Sequence, residues 1–355
     1  MDESQLPQPR QARDAVGARL QHDAEQARAF AQLARSANTK RAYRADWADF
    51  CSWCDERGVP AAPASTETVA LYVASRATDG PNGADGAPAP GLRVSTLERR
   101  LSAINQAHRS LGLDPPASRR LEPLHSVWAG IVRSKGVARD KVAPALPEDL
   151  RAMVQAPGSE SVIGERLSTP PLRDLRDRSM LLLGFAGALR RSELAAILVP
   201  HVQTTAEGLR LYIPTSKSDQ EGRGAVLGIH YGRDPQTCPV RALRSWIRAA
   251  SDHLGAPLVG PVFRKIDRWG KLWDSALTPG AVAQIVKRSA ARAGLDPTVF
   301  AGHSLRAGFA TQAARQGHHE RVIMRHTRHK SERVLREYIR EGALFDENPT
   351  DGIGL

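Results

Sequence analysis

The stretch His303-Ser304-Leu305-Arg306, followed by His329 and then by Tyr338, decides how this chain is interpreted. Upstream of it, Ala188-Leu189-Arg190-Arg191-Ser192-Glu193-Leu194 closes an apolar run. These segments supply arginines, histidines and a tyrosine to a chain whose formal net charge is +12. Guanidinium groups stay protonated and bind phosphate through two donors, and a phenol can act as a nucleophile when a base or cations assist it. The combination predicts a protein that holds a phosphodiester and attacks it with a tyrosine.

The composition favours a folded chain with a polyanionic partner. Of 355 residues, 41% are hydrophobic, and 50 Lys and Arg outnumber 38 Asp and Glu. This excess of positive charge favours nucleic acid, although a merely basic soluble protein would have the same composition. The cysteines Cys51, Cys54 and Cys238 give no disulfide framework and are typical of a reducing compartment. We interpret the Cys51–Cys54 spacing as core packing, because no second Cys or His pair completes a zinc site.

The chain carries no sign of secretion or membrane insertion. Its first residues, Met1-Asp2-Glu3-Ser4, are acidic and polar, unlike a signal peptide. The longest apolar stretch, residues 180–189, is too short to span a bilayer. We therefore expect a soluble, cytoplasmic protein. The histidines His318, His319 and His326 resemble a metal cluster, but no Asp, Glu or Cys set converges on them, so we interpret them as solvated surface and predict no metal site.

The N-terminal part of the chain predicts an all-helical bundle. Residues 1–35 are a lead-in that is partly helical or disordered. Ser36 or Asn38 can then cap a helix with one apolar stripe, formed by Tyr43, Trp47, Phe50 and Cys54. Further helices are predicted over about 67–77 and 120–134, and Ser95-Thr96-Leu97-Glu98 has the pattern of a capping box that opens another. The bundle therefore covers residues 36–134, and a basic linker follows over 135–145.

Residues 146–355 are predicted to form a second, mixed domain with a C-terminal tail. One long, mostly buried helix is expected over about 173–197. Two strands, at 209–214 and 224–230, alternate in hydrophobicity and flank a polar hairpin loop that contains Lys217. Later helices are predicted over about 239–253, 278–293, 304–316, 319–325 and 331–340. The fold class is mostly α, with a helical bundle and a second domain that holds one small antiparallel sheet.

These motifs resemble those of the tyrosine recombinases, also called phage integrases. The Arg190 segment is similar to the family's first arginine box, Lys217 to its hairpin lysine, and His303-Ser304-Leu305-Arg306 to its H-x-x-R box. The spacing from His329 to Tyr338 matches the final block. The resemblance covers about residues 36–350, and the bundle looks like the family's SAM-like core-binding domain, particularly that of Cre. Two positions depart from the pattern, since Ala188 and Arg328 stand where glycine is usual.

The resemblance implies how a DNA strand would be broken. Tyr338 would attack the phosphorus and form a 3′-phosphotyrosine. His303 would take or return the phenol proton, and Lys217 would protonate the departing 5′-oxygen. Because bond energy is kept in the phosphotyrosine, neither ATP nor a metal cofactor would be required.

The resemblance also assigns the groups around the phosphate. Arg190 and Arg306 would clamp the non-bridging oxygens, where negative charge accumulates during attack. His329 would donate a hydrogen bond to the phosphate. Glu193 would orient a neighbouring group, either an arginine or His303.

The expected partner is double-stranded DNA with inverted-repeat half-sites, bound by a dimer per site and a tetramer in the synapse. The basic and polar residues expected to contact DNA are Lys40, Arg41, Arg44, Ser95, Thr96, Arg99, Arg100, Arg139, Lys141, Lys265 and Arg268. The sequence thus predicts a site-specific recombinase. Two alternatives stay open: a type IB topoisomerase-like nicking and closing enzyme, and a catalytically silent DNA-binding regulator. Taken alone, Tyr338 has the helical spacing of a core aromatic, and Lys217 is a single basic residue in a polar loop.

Overall fold

The computed structural model describes residues 36–79, 90–137, 142–156, 171–214, 224–329, 331–332 and 335–338, together with 20–23, 25–27 and 30. The chain divides into two compact units, Met1–Arg139 and Asp140–Leu355. The predicted lead-in falls mostly outside the described residues. Arg139, Lys141 and Lys217 lie outside them entirely. No helix in the described ranges is both long enough and apolar enough to cross a membrane.

The first unit is built from helices. They are α1 (Ala37–Asp55), α2 (Thr66–Thr78), α3 (Val94–Ser110) and α4 (Leu124–Lys135). Ser36 caps α1, its hydroxyl accepting from the backbone N of Thr39 at 3.3 Å, which confirms one of the two predicted caps. The predicted apolar stripe is confirmed as well, since Phe50 and Cys54 are fully buried in the core of this unit.

The predicted capping box at Ser95 is wrong. Helix α3 begins one residue earlier, at Val94, and its N-cap residue Arg93 makes no side-chain capping hydrogen bond. The physical reason is burial: Val94 and Leu97 both turn into the core, which sets the helix phase. Ser95 then lies inside the first turn with an exposed side chain.

The second unit wraps helices around two small sheets. Its helices are α5 (Pro147–Gln155), α6 (Leu172–Ala186), α7 (Arg191–Ala195), α8 (Pro239–Leu254), α9 (Pro279–Arg292), α10 (Ser304–Arg315) and α11 (Glu320–Thr327). Its strands are β1 (Val202–Thr204), β2 (Gly208–Ile213), β3 (Ala225–His230), β4 (Arg264–Ile266) and β5 (Leu272–Ala276). Trp246 of α8 is fully buried in this core and donates from Nε1 to the carbonyl of Val262 at 2.8 Å.

The predicted pairing of β2 with β3 is confirmed, but the prediction of a single sheet is wrong. Strands β1, β2 and β3 form one antiparallel sheet, in which Leu211 pairs with Leu227. Strands β4 and β5 form a second antiparallel pair. Periodicity did not reveal this pair because β4 has only three residues and β5 buries only Leu272.

The long helix predicted over about 173–197 is also wrong, because it is interrupted. Helix α6 ends at Ala186, and α7 starts at Arg191. Between them Ala188 adopts φ 45°, in the left-handed region, so the helix cannot continue. Buried leucines lie on both sides of the break, at 181–183 and at 189 and 194, so the hydrophobic pattern runs across the break without a signal.

Candidate active site

The interruption between α6 and α7 positions the first arginine. The turn is closed by hydrogen bonds from the backbone N of Ala188 to Phe185 O at 2.9 Å and from that of Leu189 to Gly184 O at 3.0 Å. Arg190 then takes the N-cap position of α7 with an extended backbone. Its guanidinium reaches Oε1 of Glu193 and the carbonyl of Arg328 from this position.

Glu193 connects two arginines from distant parts of the chain. Its Oε1 accepts from Nη1 of Arg190 at 2.6 Å, and its Oε2 accepts from the backbone N of Arg190 at 3.0 Å. Oε2 also accepts from Nη2 of Arg328 at 2.8 Å. Burial alone would raise the pKa of Glu193, but the positive charge of Arg328 and the hydrogen bonds from Arg190 lower it below its usual value. The carboxylate is therefore ionised and orients both guanidinium groups.

Arg306 is held with one end of its guanidinium open. The residue lies in the first turn of α10 and is 1% exposed. Nη1 donates to the carbonyl of Ala188 at 2.7 Å. Within the described part of the chain, Nη2 has no hydrogen-bond partner although it is buried. Burial, with the charges of Arg190 and Arg328, lowers the pKa of Arg306 to about 9, so the group remains a cation at neutral pH.

Tyr338 and His303 meet by their polar ends. The hydroxyl of Tyr338 lies 2.8 Å from Nε2 of His303, the residue just before α10. Burial, followed by the charges of Arg306 and Arg190, lowers the pKa of His303, so its ring is neutral at pH 7. Since a neutral imidazole has one acceptor nitrogen, His303 can receive the phenol proton.

Tyr338 is carried to this position by a small apolar contact. Leu335 is fully buried in a cluster with Ala310, Ala313 and Ile323, and Tyr338 packs at the edge of that cluster. The tyrosine is thus a partly buried aromatic, as its helical spacing predicts, but its hydroxyl is directed to His303.

His329 flanks the tyrosine on its other side. The rings of His329 and Tyr338 have centroids 6.2 Å apart. Nδ1 of His329 lies 2.8 Å from the hydroxyl of Thr327, which is also 2.7 Å from the carbonyl of Ile323. If the hydroxyl donates to that carbonyl, Nδ1 carries a proton. Burial and the charge of Arg306 lower the pKa of His329 to about 3, so the ring is neutral at pH 7.

Both departures from the family pattern have a backbone consequence. Ala188 has φ 45° and Arg328 has φ 57°, and these are the only non-glycine residues with positive φ in the described ranges. A side chain in this region costs about 1–3 kcal/mol per residue. The backbone therefore keeps the glycine-like conformation at both positions and bears the strain within the site.

The expected DNA-contact residues of the first unit have different surroundings. Lys40, Arg41, Arg44 and Ser95 are exposed, and Thr96 is half-buried. Arg99 is exposed on one side but donates to Asp46 through Nε at 2.8 Å and Nη2 at 3.0 Å, which neutralises much of its charge.

The prediction for Arg100 is wrong. Its side chain is buried, and its guanidinium is hydrogen-bonded to Asp49 and to the hydroxyl of Tyr72. Asp49 also accepts from Nε of Arg76 at 3.1 Å. Arg100 therefore joins α3 to α1 and α2 inside the bundle and is not available at the surface.

Lys265 and Arg268 lie on the β4–β5 hairpin beside exposed tryptophans. The guanidinium of Arg268 stacks on Trp269 at 4.1 Å, and the ammonium of Lys265 lies 5.6 Å from the ring of Trp273. Trp269 is 77% exposed. Asp267 stabilises the turn by accepting from the backbone N of Trp269 at 2.9 Å.

The interpretation of all three histidines as solvated surface is wrong for one of them. His326 is partly buried, with Nε2 at 2.7 Å from the carbonyl of Ala186 and its ring stacked on Phe309. His319 accepts from the backbone N of Arg321 as the cap of α11. Among the described residues, no group of three or more His, Cys, Asp or Glu is arranged to hold a metal ion.

The structure brings Arg190, Glu193, His303, Arg306, His329 and Tyr338 together around one centre. Sequence reasoning missed the contributions of Thr327, of the Ala188 carbonyl and of the Arg328 side chain. Backbone carbonyls leave no trace in a sequence. The replacement of glycine at positions 188 and 328 was the available signal, and it pointed to backbone geometry alone.

The comparisons with known proteins agree with this fold. The model of the phage integrase family matches residues 164–343, and that of the phage integrase N-terminal SAM-like domain matches residues 29–111. The chain belongs to this family, the tyrosine recombinases, and is an enzyme of that class. An integrase/recombinase xerD homolog from Selenomonas ruminantium is 36% identical over 318 residues, which are 89% of this chain and 85% of that protein.

Solved structures share the fold at low sequence identity. The Tn1549 transposon integrase in complex with transposon right end DNA has a TM-score of 0.57 at 13% identity, over 89% of this chain and 92% of that chain. A lambda integrase dimer bound to a COC' core site has a TM-score of 0.51 at 15% identity, over 95% and 82%. The expected mostly helical integrase fold is confirmed, while the likeness to Cre is only approximate.

Proposed function

We propose that this enzyme recombines DNA at a specific site through a covalent 3′-phosphotyrosine. One observation carries the proposal. The hydroxyl of Tyr338 is hydrogen-bonded to a neutral His303 at 2.8 Å, beside a buried Arg306 whose Nη2 has no partner among the described residues. A nucleophile, its base and an open cationic donor are the parts that attack on a phosphodiester needs.

Positive charge is in excess at this centre. Arg190 and Arg328 both pair with the carboxylate of Glu193, Arg306 lies close enough to feel their charge, and burial with mutual repulsion lowers the pKa of Arg306 and of His329. A bound phosphate would relieve this repulsion and raise those pKa values again. His329 could then become protonated and donate to a phosphate oxygen from Nε2, while Nδ1 stays on Thr327.

The proposed step conserves atoms and charge. The phenolic oxygen of Tyr338 bonds to phosphorus as its proton passes to His303. The bond from phosphorus to the 5′-oxygen breaks, and Lys217 supplies the proton to that oxygen. Arg190 and Arg306 hold the non-bridging oxygens throughout. Reversal of the step by the 5′-hydroxyl of another strand rejoins the DNA.

The DNA partner and the assembly belong to the same proposal. Two neighbours in fold are DNA complexes, and one of them is a dimer. We propose that a dimer of this chain binds two inverted half-sites and that two dimers form a tetrameric synapse, because two-fold protein symmetry matches a palindromic target. Lys40, Arg41 and Arg44 project exposed positive charge from the first turns of α1 for the phosphate backbone.

The test is covalent capture on a nicked suicide duplex. The target is the inverted repeat that the protein selects from a random-sequence duplex library. The wild type should yield a DNA adduct resistant to denaturant, and Tyr338→Phe should bind the duplex and yield none. Tyr231→Phe is the matched control, because the ring of Tyr231 packs under Arg241 and not with the site.

The same assay separates the other functions. Tight binding without an adduct would favour a silent regulator and contradict the proposal. An adduct on arbitrary DNA, with relaxation of supercoils and no strand exchange between two target duplexes, would favour a topoisomerase. Exchange between two copies of the target is the result expected here.

A further inference from the structure

Arg328 has a backbone conformation that is unfavourable for a residue with a side chain. It ends α11 in the left-handed conformation, with φ 57° and ψ 40°. Glycine reaches this conformation without steric cost, and an arginine does not. Such a residue persists when surrounding interactions hold it.

The side chain of Arg328 supplies those interactions. Only 10% of its side-chain surface is exposed. Nη2 donates to Oε2 of Glu193 at 2.8 Å, and Nη1 donates to the carbonyl of His326 at 3.0 Å. Longer contacts of 3.4 Å reach the carbonyls of Gly187 and Ala188. One guanidinium therefore ties the end of α11 to the turn between α6 and α7.

That turn leads into Arg190 and contacts Arg306, the two arginines proposed to hold the phosphate. Glu193, the main partner of Arg328, orients the side chain of Arg190. Ala188, the other strained residue, offers its carbonyl to Nη1 of Arg306 at 2.7 Å. The carbonyl of Arg328 itself lies 3.4 Å from Nη2 of Arg190.

We propose that Arg328 is a positioning residue, which orders Arg190 through Glu193 and Arg306 through the Ala188 turn. The inference rests on the proposed cleavage reaction. A glycine at 328 would satisfy the backbone but would leave Glu193 with Arg190 as its remaining described arginine partner. Arg328 is therefore more than a tolerated replacement for glycine. The contacts that hold its strained backbone are the same contacts that set the geometry of Arg190 and Arg306.

The experiment compares Arg328→Gly with the wild type on the suicide duplex, at saturating enzyme and at a temperature below every melting transition. We expect the melting temperature of Arg328→Gly to lie no more than a few degrees below that of the wild type. We expect its cleavage to be about 10- to 100-fold slower, which is the scale for a misplaced catalytic group. Arg325→Ala is the control, since it removes an exposed positive charge from the same helix and should cleave within about threefold of the wild type.

A double-mutant cycle distinguishes a positioning role of Arg328 from a merely structural one. Because Arg328 and Glu193 share the route to Arg190, the combined loss in the variant Arg328→Gly with Glu193→Gln should be smaller than the product of the two single losses. Additive losses would overturn the inference, as would cleavage by Arg328→Gly at the wild-type rate. In either case the wild type still forms its adduct, so the proposed function stands. Absence of an adduct with the wild type would instead defeat the proposed function.

Discussion

Replacement of Arg306 by methionine should separate catalysis from stability. Methionine approximates the length of the arginine side chain and leaves little cavity. Nη1 donates to the Ala188 carbonyl, and Nη2 has no hydrogen-bond partner among the described residues, so Nη2 is the donor that we propose for the phosphate. Loss of one charge-stabilising donor costs about 2.7–4 kcal/mol of transition-state stabilisation, or about 10²–10³-fold in rate. Cleavage by Arg306→Met should fall by that factor while DNA binding is retained.

In the absence of DNA, Arg306→Met should not lower the free energy of unfolding. Burial and neighbouring positive charge lower the pKa of Arg306 to about 9, and a base with a lowered pKa destabilises the fold at every pH below that value. The shift corresponds to a cost on the order of 5 kcal/mol. The hydrogen bond from the charged group to Ala188 contributes about 1.5–3 kcal/mol. The methionine variant should therefore be as stable as the wild type, or more stable by about 2 kcal/mol.

Thermal melting and single-turnover cleavage of the suicide duplex measure both effects. Arg176→Met is the matched control: Arg176 is also buried, but it pairs with Asp177 at 2.6 Å and 2.9 Å and donates to the carbonyl of Arg264 at 3.0 Å. Losing Arg176 leaves the buried carboxylate of Asp177 with Arg288 as its remaining described partner and should cost about 3 kcal/mol. The reasoning is refuted if Arg306→Met cleaves within tenfold of the wild type, or if it melts as low as Arg176→Met.

Two further predictions concern the base and the docking of the nucleophile. Because the pKa of His303 lies below its usual value of about 6.5, the ring stays neutral down to that pH. The second-order rate constant for cleavage should therefore be flat from pH 8 to 6.5 and fall only below pH 6.5. A tenfold loss of rate already at pH 6.5 would exclude His303 as the base. Leu335→Ala should slow cleavage about tenfold or more with little change in melting temperature, because Leu335 docks the segment that carries Tyr338. Leu243→Ala, in the main core, should instead chiefly lower the melting temperature. Equal cleavage rates for the two variants would contradict the docking role.

Much of the fold could be predicted because local patterns agree with tertiary packing. The apolar stripe of α1 is buried as its spacing requires, and the alternation of β2 and β3 matches their pairing. The prediction of one long helix failed for a definite reason. The break at Ala188 is set by a carbonyl that accepts from Arg306, 118 residues away, and no local pattern encodes that contact.

The candidate site shows the same division. Motif spacing identified Arg190, His303, Arg306 and Tyr338 as a group, and the structure brings them together. Lys217 lies outside the described residues and stays a prediction. Arg100 was misjudged because a basic residue beside a helix stripe has the same appearance in sequence whether it meets solvent or a buried aspartate.

The sequence by itself determined the inventory of this protein: the reacting side chains, their order, the excess of positive charge and the helices that carry them. Only the tertiary structure decided which charges are neutralised and which remain for a ligand. Glu193 meets Arg328 across 135 residues, while Nη2 of Arg306 has no hydrogen-bond partner in the described part of the chain. The physical reason is that electrostatic energy depends on distance and burial, both of which arise when separate segments pack together.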